Sequence, residues 1–138
     1  MLKVVLYTTI ALIALSCNLG QNGAAAPALV KDSTTVQILD SAYDFGKANE
    51  GEKVDFAFRF KNTGTKPLII QNATASCGCT KPTWPKEPIP PGAIGSVKAE
   101  FNSEGRAGPA YKVITVISNA KPAFPPLKLT GVVVKKSA

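Results

Sequence analysis

Val54-Asp55-Phe56-Ala57-Phe58-Arg59-Phe60-Lys61 alternates large apolar side chains with charged or small ones at a period of two. Successive side chains of a strand point to opposite faces, so the stretch reads as a half-buried β-strand. Val54, Phe56, Phe58 and Phe60 form its core face, and Asp55, Arg59 and Lys61 face water. Downstream, Asn62-Thr63-Gly64-Thr65 supplies a turn and Pro67-Leu68-Ile69-Ile70 opens the next strand. Val97, Ala99 and Phe101 alternate with Lys98, Glu100 and Asn102 in the same way.

Val113–Ile117 and Val132–Val134 are β-branched runs bounded by Gly, Pro or Asn, and Thr35–Asp40 and Ala42–Phe45 add two strands upstream. Seven to eight short strands without a helical period predict an all-β fold, a single immunoglobulin-like antiparallel β-sandwich over residues 35–138. Lys81–Gly92 interrupts the pattern with Pro82, Pro85, Pro88, Pro90 and Pro91. Proline cannot donate to a ladder, so this segment is expected to leave the sheet as a stiff connection. It carries the sole tryptophan, Trp84, either folded back to seal one end of the sandwich or exposed as a partner contact.

The amino-terminal part carries an address. Met1-Leu2-Lys3 precedes the apolar run Val4–Leu15, which is well short of the about 20 residues a bilayer-spanning helix needs. A short apolar core behind a positive charge and before small residues is a secretory signal. Ile13-Ala14-Leu15-Ser16-Cys17 resembles a bacterial lipobox, with a small residue at the scissile bond and a thiol to acylate. Residues 1–16 are therefore read as a lipoprotein signal peptide and Cys17 as the lipidation site. Residues 17–34, rich in Gly, Ala and polar side chains, are read as a flexible tether. This places the protein in the cell envelope, exported and held to the inner or outer membrane through acylated Cys17, facing the periplasm.

Sixteen basic residues against nine acidic ones give a net charge of +7. The lysines are scattered, which describes a solvated surface with weak attraction to anionic lipid or cell-wall groups. Export and the lack of a basic–aromatic stripe argue against a nucleic-acid partner. The chain has no histidine, which removes Ser–His and Cys–His nucleophile pairs. The acidic residues are scattered, and no glycine-rich phosphate loop opens a helix. No catalytic set is assigned.

Phe45-Gly46, Glu50-Gly51-Glu52, Phe58-Arg59-Phe60-Lys61-Asn62-Thr63-Gly64 and Pro67-Leu68-Ile69-Ile70 occur in that order. They are followed by Ala75-Ser76-Cys77-Gly78-Cys79-Thr80, Trp84-Pro85, Pro90-Pro91-Gly92 and Phe101-Asn102-Ser103. Together these resemble the bacterial secreted family named domain of unknown function 1573, common in Bacteroidetes and similar to Hydin-type immunoglobulin-like modules. The resemblance runs from about Phe45 to Val134 and implies a sandwich and an envelope location. It implies no activity.

Cys77 and Cys79 are separated by Gly78 alone. Three readings stand for them. They form a small-ring disulfide, which an oxidising compartment favours and which is easily reduced. They are thiolates binding a soft metal such as Cu(I). Or they are small residues packing a strand end. On this reading the protein is a non-enzymatic binding or scaffolding module with an envelope protein or cell-wall partner and no firm cofactor. The alternative is a thiol-redox or Cu(I)-binding protein acting through Cys77 and Cys79.

Overall fold

The structure, a computed structural model, describes residues 32–135; residues 1–31, including the stretch read as a leader, Cys17 and most of the stretch read as a tether, lie outside the described residues. In chain order the strands are β1 (Val36–Ile38), β2 (Ala42–Asn49), β3 (Lys53–Asn62) and β4 (Ile70–Ala75). They continue as β5 (Thr80–Thr83), β6 (Ile94–Asn102), β7 (Gly108–Ser118) and β8 (Leu127–Val134). The aromatic alternation lies in β3, where Phe58 and Phe60 are buried and Asp55, Arg59 and Lys61 are exposed. Val54 and Phe56 are half-buried, and Phe56 stacks on Tyr43 of β2 with ring centroids 3.9 Å apart. Arg59 faces water but is not free: its Nε–H donates to Asp40 Oδ2 at 2.7 Å.

Two four-stranded sheets face each other, ordered β1-β3-β6-β5 and β2-β8-β7-β4. In the first sheet β3 pairs antiparallel with β6, so Phe58 lies opposite Val97 and Phe56 opposite Ala99. Phe58, Phe60, Val97, Ala99 and Phe101 meet Ile114, Val116, Leu127, Leu129 and Val133 of the other sheet in one apolar core. With β1, β3, β6 and β5 read as strands A, B, E and D, and β4, β7 and β8 as C, F and G, the order is that of an immunoglobulin-like sandwich.

Three sequence expectations need correction. The sandwich is not wholly antiparallel, because β2 runs parallel to β8. A parallel pair needs a long crossover, and here the whole chain between β2 and β8 supplies it. Thr34, within the stretch 17–34 read as a tether, is part of the sandwich. Thr34 is buried, its Oγ1–H donates to Asn62 Oδ1 at 2.8 Å, and Lys121 N–H donates to its carbonyl at 2.8 Å. Asp32 is also engaged, its carbonyl accepting from Asn119 Nδ2 at 3.0 Å.

The third correction concerns the proline-rich segment, whose first residues stay in the sheet as β5, with Pro82 opposite Ala99. A strand at a sheet edge tolerates proline because one side of its backbone has no partner. Beyond β5 the segment is pinned where Leu68 and Ile89 exchange backbone hydrogen bonds at 2.9 and 2.8 Å. It closes through Pro90-Pro91-Gly92-Ala93, where Ala93 N–H reaches Pro90 O at 3.1 Å and Gly92 has φ +80°. Proline then glycine at the two central positions is the demand of a type II turn.

Candidate functional site

Cys77 and Cys79 lie where the chain leaves one sheet for the other. β4 is the edge strand of one sheet and β5 the edge strand of the opposite one, so residues 76–79 form the corner between two edges. Backbone bonds define that corner. Ser76 N–H donates to Val113 O at 2.9 Å, Thr80 N–H to Cys77 O at 3.3 Å, and Asn102 N–H to Cys79 O at 2.9 Å. Ser76 Oγ in turn accepts from Val113 N–H at 3.1 Å.

The two sulfurs are joined in a disulfide with Cα atoms 5.3 Å apart, within the span a disulfide tolerates. Cys79 is buried and Cys77 half-buried. Thr80 Oγ1 lies 3.7 Å from Cys77 Sγ and 3.8 Å from Cys79 Sγ. In this oxidised form neither sulfur is a thiolate, so Cu(I) coordination would need the pair reduced first.

Gly78 and Cys79 line a hollow of about 450 Å³ together with Lys53, Lys81, Glu100, Asn102, Glu104 and Arg106. Lys81 and Glu100 also line a second hollow of about 570 Å³, which extends over the outward face of β3, β6 and β5 to Thr83 and Lys98. Those two residues border a third, of about 260 Å³, that ends on Trp84, Pro85 and Ser96. The hollows form one trough along the outer face of β5 and β6. Its two ends are the disulfide corner and Trp84, with Cys79 and Trp84 about 17 Å apart at the rise of an extended chain.

Trp84 packs against the core and does not stand free, and Lys86 Nζ sits 3.4 Å from its ring centroid. This favours the sealing role over the exposed anchor. Its indole N–H is buried and makes no hydrogen bond among the described residues. Along the trough Lys53 pairs with Glu100 at 3.1 Å, whereas Lys81, Lys98 and Arg106 form no ion pair among the described residues.

The free edge of β5 is closed to strand addition. The Asn102–Cys79 hydrogen bond sets the alternation of the antiparallel ladder, so Lys81 and Thr83 turn their backbone groups to β6. Thr80 and Pro82 therefore face outward, where Thr80 N–H is taken by Cys77 and Pro82 has no N–H to offer. Proline on an edge blocks unwanted pairing.

The sequence signalled the cysteines and Trp84 but not that one trough joins them. Lys53 and Arg106 carried no signal, because only the β3–β6 register and the 103–107 turn bring them to the corner.

A family model described as "Protein of unknown function (DUF1573)" matches residues 36–133. The chain belongs to the DUF1573 family. No curated protein matches it in sequence. Among solved structures, the DUF1573 chain is similar to a Porphyromonas gingivalis protein of unknown function, with 18% identity and a TM-score of 0.63. That likeness covers 74% of this chain and 48% of the other, so the DUF1573 chain spans about half the length of that protein. It is also similar to PapD-like domain 7 of human CEP192, with 13% identity, a TM-score of 0.57 and coverage of 76% and 89%. A third likeness is to the secreted serine protease VesC of Vibrio cholerae, with 13% identity, a TM-score of 0.54 and coverage of 76% and 24%. Likenesses this distant establish the immunoglobulin-like, PapD-like sandwich, and the fold by itself assigns no activity.

Proposed function

We propose that this DUF1573 protein is an exported lipoprotein, anchored in the cell envelope through acylated Cys17, whose sandwich is a binding module. The address rests on Ile13-Ala14-Leu15-Ser16-Cys17 behind an apolar run too short to span. The observation that carries the binding reading is the trough from Cys79 to Trp84. There Lys81, which lines the hollow of Lys98 and also that of Arg106, stands with those two residues without an ionic partner among the described residues.

The partner that fits is a carboxylate-bearing segment of an envelope protein. It binds by side chains laid across the β5–β6 face, since Pro82 closes the edge to backbone pairing. Charges at such a rim govern encounter and specificity more than raw affinity.

The test uses the full chain cross-linked in native membranes. Lys98→Glu with Arg106→Glu should abolish capture of the partner, and Thr115→Glu with Lys128→Glu, on the outer face of the opposite sheet, should leave it intact. Equal capture by both variants would remove the trough from recognition. Capture of cell-wall polymer alone would overturn the protein partner.

A further inference from the structure

We propose that the Cys77–Cys79 disulfide is a reactive centre that oxidises a dithiol partner by thiol–disulfide exchange. This activity goes beyond the binding reading and stands without it.

The corner is already held by four hydrogen bonds, two between Ser76 and Val113, one from Thr80 to Cys77 and one from Asn102 to Cys79. A disulfide closing a ring across one intervening residue restricts the unfolded chain little. The bond is thus nearly redundant as a staple. It is also open on one side, because Cys77 is only half-buried, Gly78 is exposed, and no atom outside residues 77–79 lies within 4 Å of the position a side chain would take at Gly78. A disulfide with one sulfur within reach of solvent is open to exchange.

The step follows from the burial of the two sulfurs. A partner thiolate attacks Cys77 Sγ, the less buried of the pair. A partner–Cys77 bond forms, the Cys77–Cys79 bond breaks, and its electron pair leaves on Cys79 Sγ. The Thr80 hydroxyl, 3.8 Å from that sulfur, donates to the emerging thiolate. The partner's second thiolate then attacks the partner sulfur of the mixed disulfide and releases Cys77, whose Sγ lies 3.7 Å from the same hydroxyl. The partner gives up two electrons and two protons and becomes a disulfide, and Cys77 and Cys79 receive them as thiols. Lys53, Lys81 and Arg106 outnumber Glu100 and Glu104 in the adjoining hollow, and neighbouring cations favour thiolates.

The experiment uses the full chain carrying Cys17→Ser, which leaves Cys77 and Cys79 as its only cysteines. The probe is a synthetic reduced peptide with two cysteines two residues apart, at neutral pH. Oxidised glutathione at equal concentration is the comparator. Peptide disulfide should appear one-for-one with loss of the protein disulfide, at least tenfold faster than with glutathione. Thr80→Val should slow the reaction and Thr80→Ser should restore it. In native envelopes Cys79→Ser should accumulate mixed disulfides on Cys77, and Cys77→Ser should not. A rate at or below that of glutathione, equal trapping by both single variants, or indifference to Thr80→Val would overturn the proposal.

Discussion

Asn62 donates through Nδ2 to the backbone carbonyl of Ile89 at 2.9 Å, tying the buried end of β3 to the proline-rich segment. The same amide donates to Lys66 O at 2.8 Å, and its Oδ1 accepts from Thr34 and from Gly64 N–H. The side chain is 0% exposed and saturated. Removing one member of such a network leaves its partners buried and unpaired. Asn62→Ala should cost about 3–5 kcal/mol in denaturant titration. Asn62→Asp should destabilise as well, because it sets an oxygen against two carbonyls, and lowering the pH to protonate that carboxyl should recover part of the loss. Equal stability of all three proteins would show that the network does not hold the segment.

Phe58 is 1% exposed and meets Phe56 edge-on at 4.9 Å. Phe58→Ala should leave a cavity and cost about 3–5 kcal/mol. Phe56→Ala, at a half-buried position, should cost less. The reverse ranking in denaturant midpoints would mean that the centre of the core lies elsewhere.

The Arg59 guanidinium, hydrogen-bonded to Asp40, holds that carboxyl below its ordinary range. A carboxyl depressed in the folded state stabilises the protein above its unfolded pKa, and that contribution is lost as pH falls through the folded one. Asp40→Asn should therefore lower stability near neutrality, and the gap from the wild type should close below pH 4. Added salt should narrow it at neutral pH, because the pair is exposed. A gap that is the same at acid and neutral pH would contradict the pairing.

Replacing Cys77 and Cys79 together by Ser should leave the fold intact and cost about 2 kcal/mol or less, given the short ring. Thermal unfolding monitored by circular dichroism decides this. A larger loss would make the disulfide a principal support of the corner.

Where burial is one-sided, the sequence exposes the structure. β3 and β6 alternate because each turns one face to the core, and both were legible down to Phe58, Val97 and Phe101. The parallel pairing of β2 with β8 was not, since pairing direction leaves no local periodicity. Pro82 misled in the opposite sense, because composition does not reveal whether a strand lies at an edge. Asn62 reads as a turn residue beside Thr63 and Gly64, and only the fold shows the amide buried among four partners. At the candidate site the cysteines were legible by type. Thr80 is adjacent to Cys79 in the chain, but Arg106 reaches the corner only through a distant turn.

The intact mass of the mature protein from native membranes tests most directly whether the chain is an exported, lipid-anchored module. The predicted result is a chain that begins at Cys17, carries acyl mass and is two hydrogens lighter than its fully reduced form. A chain that retains residues 1–16, begins elsewhere or lacks acyl mass would contradict it.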